Sequence, residues 1–144
     1  MSANQGKLAT ALRLAETEKR LAQIAAAEAA ARLRLAEEAE TVASRNALSL
    51  GRELIGHPGQ PGLAALGWLA CAAAAQEGRV TEERNAELLS ALADLQERQV
   101  WTNAVTRLIE KRRREERYRE GRRATTELVE SAVRRIARHD DIHS

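Results

Sequence analysis

The stretch Gly51-Arg52-Glu53-Leu54-Ile55-Gly56-His57-Pro58-Gly59-Gln60-Pro61-Gly62 decides the fold. It holds both prolines of the chain and four of its eight glycines. Proline removes a backbone donor and glycine loosens the backbone, so such a cluster stops a helix and reverses the chain. The sequence on either side lacks this punctuation and reads as helix. The simplest object is an all-α, antiparallel two-helix coiled-coil hairpin with a longer C-terminal helix. The expected single domain covers residues 1–144, with helix 1 at about 6–50, a tip loop at about 51–62 and helix 2 at about 63–139.

Composition agrees with that shape. Of 144 residues, 88 are Ala, Glu, Lys, Leu or Arg, a share above the roughly half that marks coiled coils and long helices. There is no Phe, and the only aromatics are Trp68, Trp101 and Tyr118. β-Branched and aromatic residues are too scarce for a sandwich, a barrel or a Rossmann sheet. The 29 alanines fill little volume, which argues against a thick core.

The first arm offers the stripe Leu14, Leu21, Ile24, Ala31, Leu35 and Val42, interrupted by Glu28 and Glu38. Three-and-four spacing of this kind suits a narrow two-helix seam. The second arm offers Leu88, Leu92 and Leu95, and then a shifted stripe of Trp101, Val105 and Leu108, which reads as a stutter. Gly78 marks an expected weak point, with Thr81 able to cap a restarted helix. At 1.5 Å per residue the arms measure about 70 and about 115 Å, and residue i faces roughly residue 113 − i. Residues beyond about 108 then overhang the first arm.

The overhang opens with Glu110-Lys111-Arg112-Arg113-Arg114-Glu115-Glu116-Arg117-Tyr118-Arg119-Glu120-Gly121-Arg122-Arg123, which has eight basic and four acidic residues. Apolar spacing returns at Val129, Val133 and Ile136. An amphipathic helix with nothing to cover it is a candidate partner surface. The competing reading is a solvated face held by pairs such as Glu110–Arg114 and Glu115–Arg119. Direct DNA reading fits less well, because a base-reading helix carries Asn and fewer acids. The formal net charge of only +2 does not by itself imply a nucleic-acid partner.

No phosphate-binding loop, cysteine pair or catalytic constellation is evident, so neither an enzyme nor a cofactor is expected. His139 and His143 are four apart and could clip a metal, but a solvated tail is the plainer reading. Cys71 is alone, which excludes an intramolecular disulfide and points to a reducing compartment. It reads as a small apolar residue. The N-terminus shows no apolar signal segment. The most apolar run, Gly62 to Ala75, is shorter than the roughly 20 residues a bilayer span needs. Trp68 within it has two readings. It closes the tip with Leu66 and Leu69 on Leu54 and Ile55, or it forms a contact patch far from the charged overhang.

One resemblance covers nearly the whole chain. Arg107-Leu108-Ile109-Glu110-Lys111-Arg112-Arg113-Arg114-Glu115-Glu116-Arg117-Tyr118-Arg119, followed by Glu127-Leu128-Val129-Glu130-Ser131-Ala132, resembles the flagellar export protein FliJ family. That family shows a Leu-x-Glu-Lys-like entry, a charged stretch with Tyr and a Leu-Asp-Glu-x-Ala-like ending; here Val129 stands in place of the Asp. The start, Lys7 to Glu16, is similar in a general way, and the stalk proteins of virulence-type type III secretion share the shape. The resemblance implies a cytoplasmic export component, peripheral at the inner face of the inner membrane. Such a component binds a hexameric secretion ATPase, the membrane-embedded export gate and export chaperones. By position, Lys111, Arg112, Arg113, Arg117, Arg122 and Arg123 would meet the ATPase ring, with Val129, Val133 and Ile136 beyond them. Trp68, Ala72 and Ala75 would meet the gate.

Overall fold

The computed structural model describes residues 3–143, with side chains from Gln5 to Asp141. The chain is all-α. Helix α1 spans Ala3–Gly56 and helix α2 spans Leu63–His143. No described residue is in a strand.

The turn is shorter than the sequence suggests. Helix α1 runs through Gly51 and stops only after Gly56. A helical glycine costs about 1 kcal/mol relative to alanine, which is not enough to end a helix whose heptad phase continues through half-buried Leu50 and Leu54. The true stop is His57-Pro58, because a residue before proline is pushed out of the helical region. The His57 amide still donates to the Glu53 carbonyl at 2.8 Å. The amides of Gln60 and Leu63 then donate to the carbonyls of His57 and Gln60, at 3.2 and 3.4 Å. Gly62, at φ 78°, takes the left-handed conformation that side chains resist, and its carbonyl receives the Leu66 amide at 3.0 Å, the first bond of α2.

The chain divides into two compact units. One comprises residues 15–101, and the other comprises residues up to Leu14 together with those from Thr102 onward. In the unit 15–101 the seam is made of alanine. Ala15, Ala22, Ala26, Ala29 and Ala36 are buried, and Ala43, Ala47 and Leu50 extend the same three-and-four rhythm half-buried. Opposite them α2 presents buried Leu63, then half-buried Ala70, Ala74, Thr81, Leu88, Ala91 and Leu95. No large side chain is fully buried among the described residues, so the helices meet through methyl groups and leucine edges.

The leucine stripe expected to form the seam does not. Leu14, Leu21, Ile24, Ala31, Leu35 and Val42 are all exposed, with Leu21 at 61% and Leu35 at 65%. The two stripes share the heptad period and lie one residue apart, about 100° around the helix. At seven-residue spacing the alanine positions 15, 22, 29, 36 and 43 carry no charge, with half-buried Glu18 and Glu40 between them, whereas the same spacing along the leucine line meets Glu28. Small residues also let the helices close, which converts a weak hydrophobic line into a continuous packed one.

The expected stutter is absent as well. Leu88, Ala91, Leu95 and Arg98 keep one phase, and Thr102, Val105 and Ile109 in the other unit carry the same spacing along the sequence. Leu92, Trp101 and Leu108 are exposed. Arg98 takes the position where an apolar residue would be expected, and its guanidinium donates to the Glu18 carboxylate at 2.7 Å. Gly78 and Thr81 mark no break. Helix α2 is continuous there, and the Thr81 hydroxyl donates back to the Glu77 carbonyl at 3.0 Å. The register differs too. Glu18 would face residue 95 in the expected alignment and pairs with Arg98; Glu40 would face residue 73, and its carboxylate lies 3.3 Å from where a Cβ on Gly78 would stand. The shift follows from the turn, which is centred beyond Pro58 rather than at Gly56.

Candidate functional site: the exposed C-terminal arm

In the unit built from the two chain ends, Leu8, Ala11 and Leu12 of α1 are half-buried, and Thr102 and Val105 of α2 are buried. The Gln5 side-chain amide donates to the Glu116 carboxylate. From Arg117 to Asp141 every described residue except Ser131 is exposed.

The charged run is arranged for solvent and not for itself. Among the described residues, neither Glu110–Arg114 nor Glu115–Arg119 closes as an ion pair, so the expected self-neutralised face is not formed. Glu110, Arg113, Arg114, Glu116, Arg117 and Glu120 instead line an open depression on the helix. The Arg122 guanidinium stacks 5.8 Å from the centre of the Tyr118 ring, one turn earlier.

Lys111, Arg112, Arg113, Arg117, Arg122 and Arg123 are all exposed. The 100° helical step divides them. Lys111, Arg112, Arg122 and Arg123 share one side with Arg119, and Arg113 and Arg117 point the other way with Arg114. Val129, Val133 and Ile136, also exposed, fall on a narrow arc that continues the Lys111–Arg122 side. One side of the arm therefore offers a cationic patch followed by an aliphatic one.

The other expected contact patch is exposed and not drawn together. Trp68 is 71% exposed, and Ala72 and Ala75 are exposed. Ile55 is 83% exposed, and Leu66 and Leu69 are exposed too, so Trp68 does not close the tip over them. Cys71 is free and exposed on the same helix. Among the described residues no cluster of His, Cys, Asp and Glu could hold a metal ion, and the His143 side chain lies outside them. No helix is long and apolar enough to cross a membrane.

Reading the sequence for large side chains missed two features. One is the cross-helix pairs Glu18–Arg98 and Gln5–Glu116. The other is the uncovered line through Leu21, Leu35 and Val42. The seven-residue repeat of alanine at 15, 22, 29, 36 and 43 was the signal that could have found it.

These features define an all-α hairpin of two long helices, exposed at nearly every described residue from Arg117 to Asp141. No protein-family model, curated protein or solved structure matches the chain.

Proposed function

We propose that the chain is a non-enzymatic coupling component of a flagellar-type or type III protein export apparatus. In this reading it binds the hexameric export ATPase through its C-terminal arm and the export gate through the region of Trp68, Ala72 and Ala75. The observation that carries the reading is the bare arm. In residues 117–141, all helix, every described residue except Ser131 is exposed, and among the described residues the arginines of 117–123 close no ion pair with the carboxylates of the charged run. A helix of mixed charge suits a ring with repeated acidic patches, since attraction is present without tight locking and weakens with salt. The resemblance of residues 107–132 to the FliJ family supports the same choice.

The test is stimulation of the export ATPase encoded by the same organism. Wild-type chain raises turnover, and Arg112→Glu/Arg113→Glu, which reverses charge on both sides of the arm, loses most of that effect. Equal stimulation by both proteins removes the charged run from the mechanism.

A second reading, a self-associating adaptor, is favoured by the exposure and common arc of Val129, Val133 and Ile136. Here a dimer forms through the arm and Val133→Asp abolishes it.

A further inference from the structure

We propose that residues 111–138 of α2 form an amphipathic helix that lies flat on an anionic lipid bilayer. Charge is segregated along the chain. Residues 111–138 hold eleven basic and five acidic side chains, an excess of six positive charges where the whole chain has an excess of two. The rest of the molecule is therefore net negative. Within residues 111–123, the side of the helix shared by Lys111, Arg112, Arg119, Arg122 and Arg123 includes one carboxylate, Glu115. All six side chains are exposed.

Beyond Arg123 the same helix changes character. Leu128, Val129, Ala132, Val133, Ile136 and Ala137 fall on one half of its circumference, together with Thr125 and Thr126. Glu127, Glu130, Arg134, Arg135 and Arg138 fall on the other half. Leu128, Val129, Val133 and Ile136 are exposed, Leu128 at 72%. An apolar face half the circumference wide is broader than the narrow seam that one partner helix covers, and a flat interface covers all of it. Its middle line, Val129, Val133 and Ile136, lies on the same side as Lys111, Tyr118 and Arg122, so cations and aliphatic groups meet one plane together. Tyr118, stacked with Arg122, adds a ring that is apolar in body and polar at its tip, as the headgroup layer favours. Cations drawn to anionic headgroups and an aliphatic face sunk among the upper acyl chains are the two signals that together hold a helix on a membrane. The helix lies on the bilayer and does not cross it, since no helix is long and apolar enough to do so. A nucleic acid would match the charge of the arm but leave its aliphatic half without a contact. The inference stands apart from the export reading, because neither ATPase nor gate enters it.

Cosedimentation of the full chain with lipid vesicles is the test. At low salt the chain binds mixed phosphatidylglycerol–phosphatidylcholine vesicles at least about tenfold more tightly than phosphatidylcholine vesicles, and added salt weakens the binding. Arg122→Glu/Arg123→Glu lowers binding to the anionic vesicles at least about tenfold. Val133→Asp lowers it at least about fivefold, by setting a carboxylate in the middle of the aliphatic half. Arg45→Glu/Arg52→Glu makes the same change of charge on exposed positions of α1 and loses much less. Circular dichroism of each variant matches wild type, because every altered side chain is exposed. Equal binding to the two kinds of vesicle, or binding to neither, overturns the inference. So does vesicle binding that survives Val133→Asp, whether or not that variant loses a dimer. So does a chain that leaves the vesicles for duplex DNA supplied at equal phosphate, which would mark a nucleic-acid arm.

Discussion

Residues 15–43 of α1 and residues 117–141 of α2 are both uninterrupted helix, yet they are helical for different reasons. The first stretch buries an alanine in nearly every heptad against α2, and its outer face carries the larger side chains. The second buries none of its described residues. Helix in the first is held by tertiary contact, while in the second it rests on local propensity, arginine and glutamate content and a cation–π contact. The comparison teaches that side-chain size is a poor guide to burial in this chain. Within residues 15–43 every fully buried residue is an alanine, while Leu21, Ile24, Leu35 and Val42 face outward.

The largest expected effect breaks the comparison at the seam. Ala22→Glu places a carboxylate on a residue only 5% exposed and destabilises the hairpin by about 3 kcal/mol, whereas Leu21→Glu in dilute chain leaves the melting midpoint nearly unchanged. Thermal melts of the two neighbours, read side by side, check this. Next comes the turn. Gly62→Ala forces a side chain into the left-handed region and costs about 1–2 kcal/mol, visible in urea unfolding. The smallest effect sits at the polar interruption of the seam. Arg98→Ala removes the pair with Glu18, whose side chains are both more than a third exposed, and costs about 0.5 kcal/mol in the same unfolding assay, less at high salt.

The hairpin itself was legible in the sequence. Pro58 and Pro61 amid four glycines, flanked by strong helix formers, leave few alternatives to two helices and a turn. The turn's start was misplaced because Gly51 and Gly56 look like breakers, while only the His57-Pro58 step has a steric reason to stop α1. The seam was misread for a deeper reason. Two stripes of equal period lie one residue apart, and hydrophobicity alone selects Leu14, Leu21 and Leu35 over Ala15, Ala22 and Ala36. Close approach of two helices rewards the opposite choice, and that is a property of the pair rather than of either arm. The apparent stutter after Leu95 has the same origin: Trp101 and Leu108 are large but exposed, and the phase of Leu88, Ala91 and Leu95 continues in the spacing of Thr102, Val105 and Ile109. Arm lengths point to an overhang but set its start at about 108, whereas Gln5 reaches Glu116 and exposure of every described residue but Ser131 begins at Arg117; the internal pairing of the charged run was not legible either. Helical spacing permits Glu110–Arg114 and Glu115–Arg119 without requiring them, and solvated charges gain little by closing.

The most direct measurement of which line closes the hairpin is thiol labelling of two adjacent positions. Leu21→Cys and Ala22→Cys are each made in a Cys71→Ser background and exposed to a maleimide at low protein concentration. The account predicts that the thiol at position 21 reacts as a free surface thiol does, and that the thiol at position 22 reacts at least about tenfold more slowly. Equal rates, or faster labelling at position 22, would contradict an alanine seam.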